Sequence, residues 1–105
     1  RLTQAAQTQT DYMVMTNTLT HDNPAGDIGQ RVRNTGYVYS NVAENVAEGY
    51  GTNEEVRVMQ GWMNSTIHRD NILNPVFVHL GAAFGSETYW TQVFSSPLEQ
   101  TGDFA

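Results

Sequence analysis

Gly61-Trp62-Met63-Asn64-Ser65-Thr66-Ile67-His68-Arg69-Asp70-Asn71-Ile72-Leu73-Asn74-Pro75 is the stretch on which the reading of the fold turns. Its first residues continue a helical pattern that opens at Thr52-Asn53-Glu54-Glu55, a capping-box sequence in which a Thr hydroxyl and a Glu carboxylate satisfy orphan N–H groups. Val56, Met59 and Met63 share one face of that helix and Val58 and Trp62 an adjoining one, so packing is expected on more than one side. Beyond Ser65 the period breaks. Ile67 to Leu73 is expected as an irregular turn or a short helical piece, ended at Asn74-Pro75 because the residue before a proline is pushed out of helical geometry.

Upstream, Leu2, Ala5, Ala6, Tyr12 and Met13 recur at helical spacing and predict a helix from about Leu2 to Thr18. It opens without a capping residue, as expected of a processed or trimmed amino terminus. Thr20 to Gly26 reads as a loop, and a short helix capped by Asp27 carries Ile28, Arg31 and Val32 and stops at Gly36. Tyr37 to Val46 mixes aromatic, β-branched and small residues, which suits a short strand leading to Glu44. Downstream, Val76, Val78 and Leu80 alternate with Phe77 and His79, and Gly85-Ser86 offers a turn into Thr88 to Phe94. This predicts a hairpin with His79 on its less buried side. The whole reads as one domain over 1–105, with a core at about 2–95 and a loosely held tail at 96–105.

Composition narrows the function classes. With 39% hydrophobic and 15% charged residues the 105-residue chain is apolar enough to fold around one core. Its basic residues are five arginines against eleven acids, a net charge of -6, which disfavours nucleic acid and anionic membrane surfaces. No apolar run approaches the roughly 18 residues of a membrane span. Cysteine is absent, so there is no disulfide framework and no thiolate site. Gly-rich phosphate loops, His-Glu-x-x-His helices and Gly-x-Ser-x-Gly elbows are absent too, and any site must be assembled from separate segments.

Three polar residues stand out. His21 sits in the Gly- and Pro-containing loop beside Asp22, either as a surface residue or as a group for ligand contact or proton transfer. Glu44 lies among small and apolar residues in Ala43-Glu44-Asn45-Val46-Ala47, as an exposed strand-end acid or a buried one with donors around it. His68 follows the third helix, where an imidazolium also suits a helix C-terminus.

Taken together, the Trp62 to Pro75 block, Tyr89-Trp90-Thr91-Gln92-Val93-Phe94, the Glu44-Asn45 pair and His21 resemble the CAP superfamily of cysteine-rich secretory, antigen 5 and pathogenesis-related-1 proteins. The likeness is to its cysteine-free bacterial and fungal branch. That branch reads Trp-Met-x-Ser-x-Gly-His-Arg-x-Asn-Ile-Leu where this chain has Ile67 in place of the Gly, and Gly-Glu-Asn-Ile/Leu-Ala where it has Ala43 and Val46. Plant and animal members place a Glu at the position of Ser65 and a His at that of Tyr89, so their two-histidine, two-glutamate set cannot be built here.

The resemblance implies an α+β fold, an α-β-α sandwich with a small antiparallel sheet between helical layers, and it implies that a helix usual before Leu2 is missing. It also implies a cavity of His21, Glu44 and His68, with Tyr89 as a neutral hydrogen-bonding partner. Chemically, two imidazoles and a carboxylate can hold zinc with a position left for water, or can form a metal-free, pH-sensitive cluster. Functionally, the resemblance implies a secreted module that binds a small apolar ligand such as a sterol or lipid, or a partner protein, as in defence, allergy and venom proteins. The alternatives are a Glu/His- or metal-dependent hydrolase, and a host- or matrix-interaction protein with a vestigial cavity. No cofactor is required by the first reading.

Overall fold

A computed structural model describes residues 1–98. The element order is α1 (Leu2–Thr16), α2 (Ile28–Asn34), β1 (Tyr39–Ala47), α3 (Glu55–Met63), α4 (Thr66–Leu73), β2 (His79–Gly85) and β3 (Tyr89–Pro97). The strands form an antiparallel sheet in the order β1-β3-β2, so the last strand is central and both earlier ones are edges.

Successive side chains on a strand point to opposite faces, and this rule sorts the helices into two layers. Glu44 pairs with Val93 and Val46 with Thr91, which places all four on one face. Thr10 of α1 shares a 2.8 Å hydrogen bond with Thr91, and Arg31 of α2 reaches Glu44, so α1 and α2 cover that face. Leu2, Ala5, Ala6, Val32, Ala83 and Val93 form the main core there. Asn45 faces the other way and binds α4 through the His68 carbonyl and the Asn71 side chain. Trp62 of α3, buried, donates from Nε1 to the Val46 carbonyl at 3.1 Å. The result is the expected α-β-α sandwich.

Close backbone approach fixes α1 on β2. A Cβ on Gly81 would lie 2.1 Å from the Leu2 carbonyl carbon and 2.2 Å from the Thr3 nitrogen, so only a residue without a side chain lets the helix sit there.

Several sequence expectations need correction. The first helix stops at Thr16, where Asn17 takes the left-handed conformation and its N–H bonds back to the last turn. Thr52 does not cap α3; instead Glu54 Oε1 accepts from the Gly51 N–H at 2.6 Å, and the Thr/Glu pairing read from the sequence is not formed. Of the two forms expected after Ser65, the chain takes the short helical piece, α4, which packs against α3 and β1 while exposing Ile67 and Leu73. Val76, Val78 and Leu80 do not face the core: Val78 is 65% and Leu80 54% exposed, because it is Gly81 and Ala83 that meet α1. The supposed tail begins too early, since Ser96 and Pro97 pair with β1 and Ser96 is buried; residues 99–105 lie outside the described residues.

Candidate functional site

The loop between α1 and α2 carries His21, and buried polar side chains hold it from both sides. Gln9, in the interior face of α1, donates from Nε2 to the Thr20 and Asp22 carbonyls, while Asn23 donates to Gln9 Oε1 at 3.1 Å. From α2, Arg31 donates through Nε to the Gly26 carbonyl at 3.1 Å and through Nη2 to the His21 carbonyl at 3.2 Å. These bonds give the Thr20, His21, Asp22 and Gly26 carbonyls partners within the protein. They set the backbone of His21 against β1.

Glu44 reaches up from the sheet to the same place. Its Oε2 accepts from Arg31 Nη1 at 2.6 Å, and its Oε1 accepts from Arg31 Nη2 at 3.1 Å and from His21 Nδ1 at 2.9 Å. The ion pair is shut away from solvent, with side-chain exposures of 1% for Arg31 and 2% for Glu44, while the imidazole of His21 remains 58% exposed. Paired charges of this kind pay a desolvation cost that only good geometry repays, and the two-point guanidinium fork supplies it. Both Glu44 oxygens accept from the Arg31 fork, and Oε1 accepts from His21 as well, so the Nδ1 of His21 carries the proton and Nε2 is the acceptor when the ring is neutral.

The hydrogen bond to Glu44 raises the pKa of His21 above the usual 6.5; burial opposes it, the Glu44 charge adds to it, Arg31 lowers it and Asp22 raises it. The space in front of the ring is a cavity of about 730 Å³ lined by Tyr12, His21, Asp22, Pro24, Ile28 and Arg31 among others.

His68 and Tyr89 do not line this cavity. His68 stands on the α4 side, its Nδ1 2.8 Å from Ser65 Oγ and its carbonyl held by Asn45. Among the described residues no hydrogen bond joins it to His21 or Glu44, yet it is near enough to feel His21: burial lowers its pKa below 6.5 and the charge of His21 lowers it further. Tyr89, expected as a cavity partner, is buried with Met13 and Val46 and donates to Asn17 Oδ1 at 3.1 Å. It ties the end of α1 to the central strand. Burial, with Glu48 nearby, raises its phenol above 10.0. The structure thus joins His21 to Glu44, leaves His68 within electrostatic reach of His21 but hydrogen-bonded to neither, and gives Tyr89 a packing role.

The central residue that sequence reasoning passed over is Arg31. It had a signal, since it shares the inward face of α2 with Ile28 and Val32, where a charge requires a buried partner. Gln9 had a related one in α1, an uncharged amide spaced with Ala5, Ala6 and Met13 whose buried donor and acceptor need partners.

Zinc, which the resemblance allows, needs three or four ligands converging within about 2.0–2.2 Å of one point. Among the described residues no group of three His, Cys, Asp or Glu side chains could hold an ion, and the Glu44 oxygens are taken up by Arg31 and His21. The residues present do not fit the metal.

Known proteins agree with this architecture. The profile of the cysteine-rich secretory protein family, CAP, matches residues 1–96. The Bacillus subtilis protein YkwD is 38% identical over 95 residues, which is 89% of this chain and 36% of that protein. A crystal structure of an extracellular protein containing an SCP domain from Bacillus anthracis is 31% identical with a TM-score of 0.75, covering 88% of this chain and 31% of that one. A cysteine-rich secretory protein from Staphylococcus aureus is 26% identical with a TM-score of 0.69, covering 90% and 29%. The chain spans about a third of the length of these relatives. No helix among the described residues is long and apolar enough to cross a membrane. A sandwich of this topology, matched by the family profile along nearly its whole described length, places the chain in the CAP family, to which it belongs.

Proposed function

We propose that the chain is an extracellular recognition module that receives a hydrogen-bond-donating group of a partner protein or small ligand in the His21 cavity. The carrying observation is the engagement of Glu44 by Arg31 and His21, which fixes the tautomer so that the free ring nitrogen offers a lone pair. Asp22 and Asp27 add carboxylate acceptors to the lining, so amines, amides and hydroxyls are the groups favoured. The volume lies within the range of small-molecule pockets. Tyr12, Pro24 and Ile28 give it an apolar wall, which supports the sterol or lipid version of the reading.

The test is a titration of isotope-labelled protein with a fragment set of small amines, amides and alcohols beside carboxylates of equal size. Donor fragments are expected to shift the amides of His21, Asp22 and Ile28, and His21→Ala to abolish those shifts. A preference for carboxylates, or shifts confined to other surfaces, would count against the proposal. For the apolar version, cholesterol, whose hydroxyl is a donor, is expected to raise Tm by mass action.

A second reading, hydrolysis, draws support from one feature: an imidazole oriented by a carboxylate with its outer nitrogen free is the arrangement of a general base. None of the cavity's lining residues is Ser, Thr, Cys or Lys, and on this reading the free ring nitrogen activates a water molecule. Hydrolysis of a peptide or ester panel that disappears in His21→Ala would favour this reading.

A further inference from the structure

We propose that the end of the sheet opposite the β2–β3 turn is a second recognition surface, which takes an extended segment of a partner protein carrying both carboxylates and apolar side chains. It is separate from the His21 cavity and does not depend on what that cavity binds. The surface is built where β1 and β2 begin and β3 ends. Three hollows of about 430, 460 and 380 Å³ lie there. Val78 lines the first and second and Tyr37 the first and third, so they run together as one strip. None of their lining residues also lines the His21 cavity. Apolar side chains stand open to solvent along the strip: Val38, Val76 and Leu98 as well as Val78 and Leu80. Grouped exposure of this kind marks an interaction site, where single exposed apolar residues do not.

Charge on the strip has one sign. The chain carries eleven acids against five basic residues, yet no Asp or Glu lines any of the three hollows, while Arg1 lines the first and Arg33 the third. Among the described residues neither arginine is in an ion pair. Neutral groups aim them instead. Arg1 Nη1 donates to the Gly36 carbonyl at 2.9 Å, and Arg33 Nη1 donates to the Tyr39 hydroxyl at 2.6 Å with its guanidinium 5.4 Å from the centre of that ring. A guanidinium has five N–H donors, so each keeps some for an arriving carboxylate. The acids Glu48 and Glu87 belong to the other end of the sheet, just after β1 and in the β2–β3 turn. A cationic end on an acidic molecule draws carboxylates toward it.

The shape of the partner follows from β2. It is an edge strand, and residues 78–85 contain no Lys, Arg, Asp, Glu or Pro, the residues that ordinarily blunt an exposed edge. Val78, His79 and Leu80 bring that edge into the first hollow beside Arg1. Tyr37 and His79 fix each other at its wall, the hydroxyl 2.8 Å from Nδ1 and the rings edge to face. An extended chain laid along β2 meets unpaired main-chain groups, apolar side chains and a guanidinium together. The His21 cavity, lined by Asp22 and Asp27, has the opposite preference.

The probe is a short peptide alternating leucine and glutamate, titrated into isotope-labelled protein beside one with lysine in place of glutamate and one with serine in place of leucine. The leucine–glutamate peptide is expected to shift the amides of Tyr37, Val38, His79 and Leu80 saturably, and the other two to leave them in place. Arg1→Ala combined with Arg33→Ala should weaken binding about tenfold at low salt. Both side chains are exposed, so the variant is expected to keep the fold, with amide shifts unchanged away from the strip. Arg57→Ala, which removes an exposed arginine that Glu54 already engages, should leave the affinity as it was. Equal binding of the lysine peptide, an affinity indifferent to the double variant, or shifts that miss β2 would each overturn the proposal. So would co-sedimentation with phosphatidylserine vesicles without peptide binding, which points to a membrane surface, or a concentration-dependent rise in mass lost in the double variant, which points to a second copy of the chain.

Discussion

Arg31 Nη1 and Glu44 Oε2 lie 2.6 Å apart in the interior, one rising from α2 and the other from β1, and the contact is the pivot of the cavity. Breaking such a pair by removing one member leaves the other charge buried and alone. Arg31→Met should therefore destabilise the fold by about 3–5 kcal/mol, while Arg31→Met with Glu44→Leu should recover much of that loss. Urea denaturation of the three proteins checks this; equal destabilisation in the single and double variants would refute the pairing.

The two histidines should respond to pH with opposite sign. His21 has its folded pKa raised above 6.5, so its contribution is fully present below 6.5 and is lost as pH rises through the folded value. His68 has its folded pKa lowered, so its contribution is present above 6.5 and is lost as pH falls through the folded value. His21→Ala should thus cost more stability at about pH 5.5 than at about pH 8, and His68→Ala should blunt acid destabilisation. Tm measured across that window for both variants is the check, with the exposure of His21 keeping its effect small.

Gly81→Ala should force α1 away from β2. The new methyl would meet backbone at Leu2 and Thr3, which no rotamer can relieve, so a loss of about 1–3 kcal/mol or more is expected. Denaturation midpoints and the amide shifts of the first turn of α1 would report it.

Asn45→Ala should loosen α4 without disturbing the His21 cavity. Asn45 is fully buried, donates to the His68 carbonyl and to Gln92 Oε1, and accepts from Asn71. Leaving these partners unsatisfied should cost about 1–3 kcal/mol. Hydrogen exchange is expected to accelerate in α4 and not at His21.

Much of this architecture could be read from the chain because its periodic and capping signals are local. Asp27 caps α2 as expected, its carboxylate accepting from the Gln30 N–H, and the β2–β3 hairpin turns at Ser86-Glu87 beside the anticipated Gly85. Asn74 holds its turn by accepting from the Val76 N–H. What failed depended on which face a neighbour occupies. Val78 and Leu80 alternate like core residues, yet the helix that buries β2 lies over Gly81 and Ala83 on the opposite phase. In the site, the neighbours of His21 and Glu44 singled them out but left their roles open, and it was the resemblance to the CAP superfamily that put the two in one cavity. Arg31 was missed because a cation on an apolar helix face reveals no partner until a strand from elsewhere in the chain arrives beneath it. Tyr89 carries the right chemistry in a position whose hydroxyl the fold commits to Asn17, and His68 stays within electrostatic reach of His21 while its ring bonds to Ser65.

The buried fork that shapes the His21 pocket is also a rivet through three non-adjacent parts of the chain, the α1–α2 loop, α2 and β1. Selection on what the pocket binds and selection on whether the molecule stays folded therefore act on the same few atoms, and neither trait can drift alone. New specificities should arise by exchange of outer residues such as Asp22 and Tyr12, over a floor that evolution is not free to repaint.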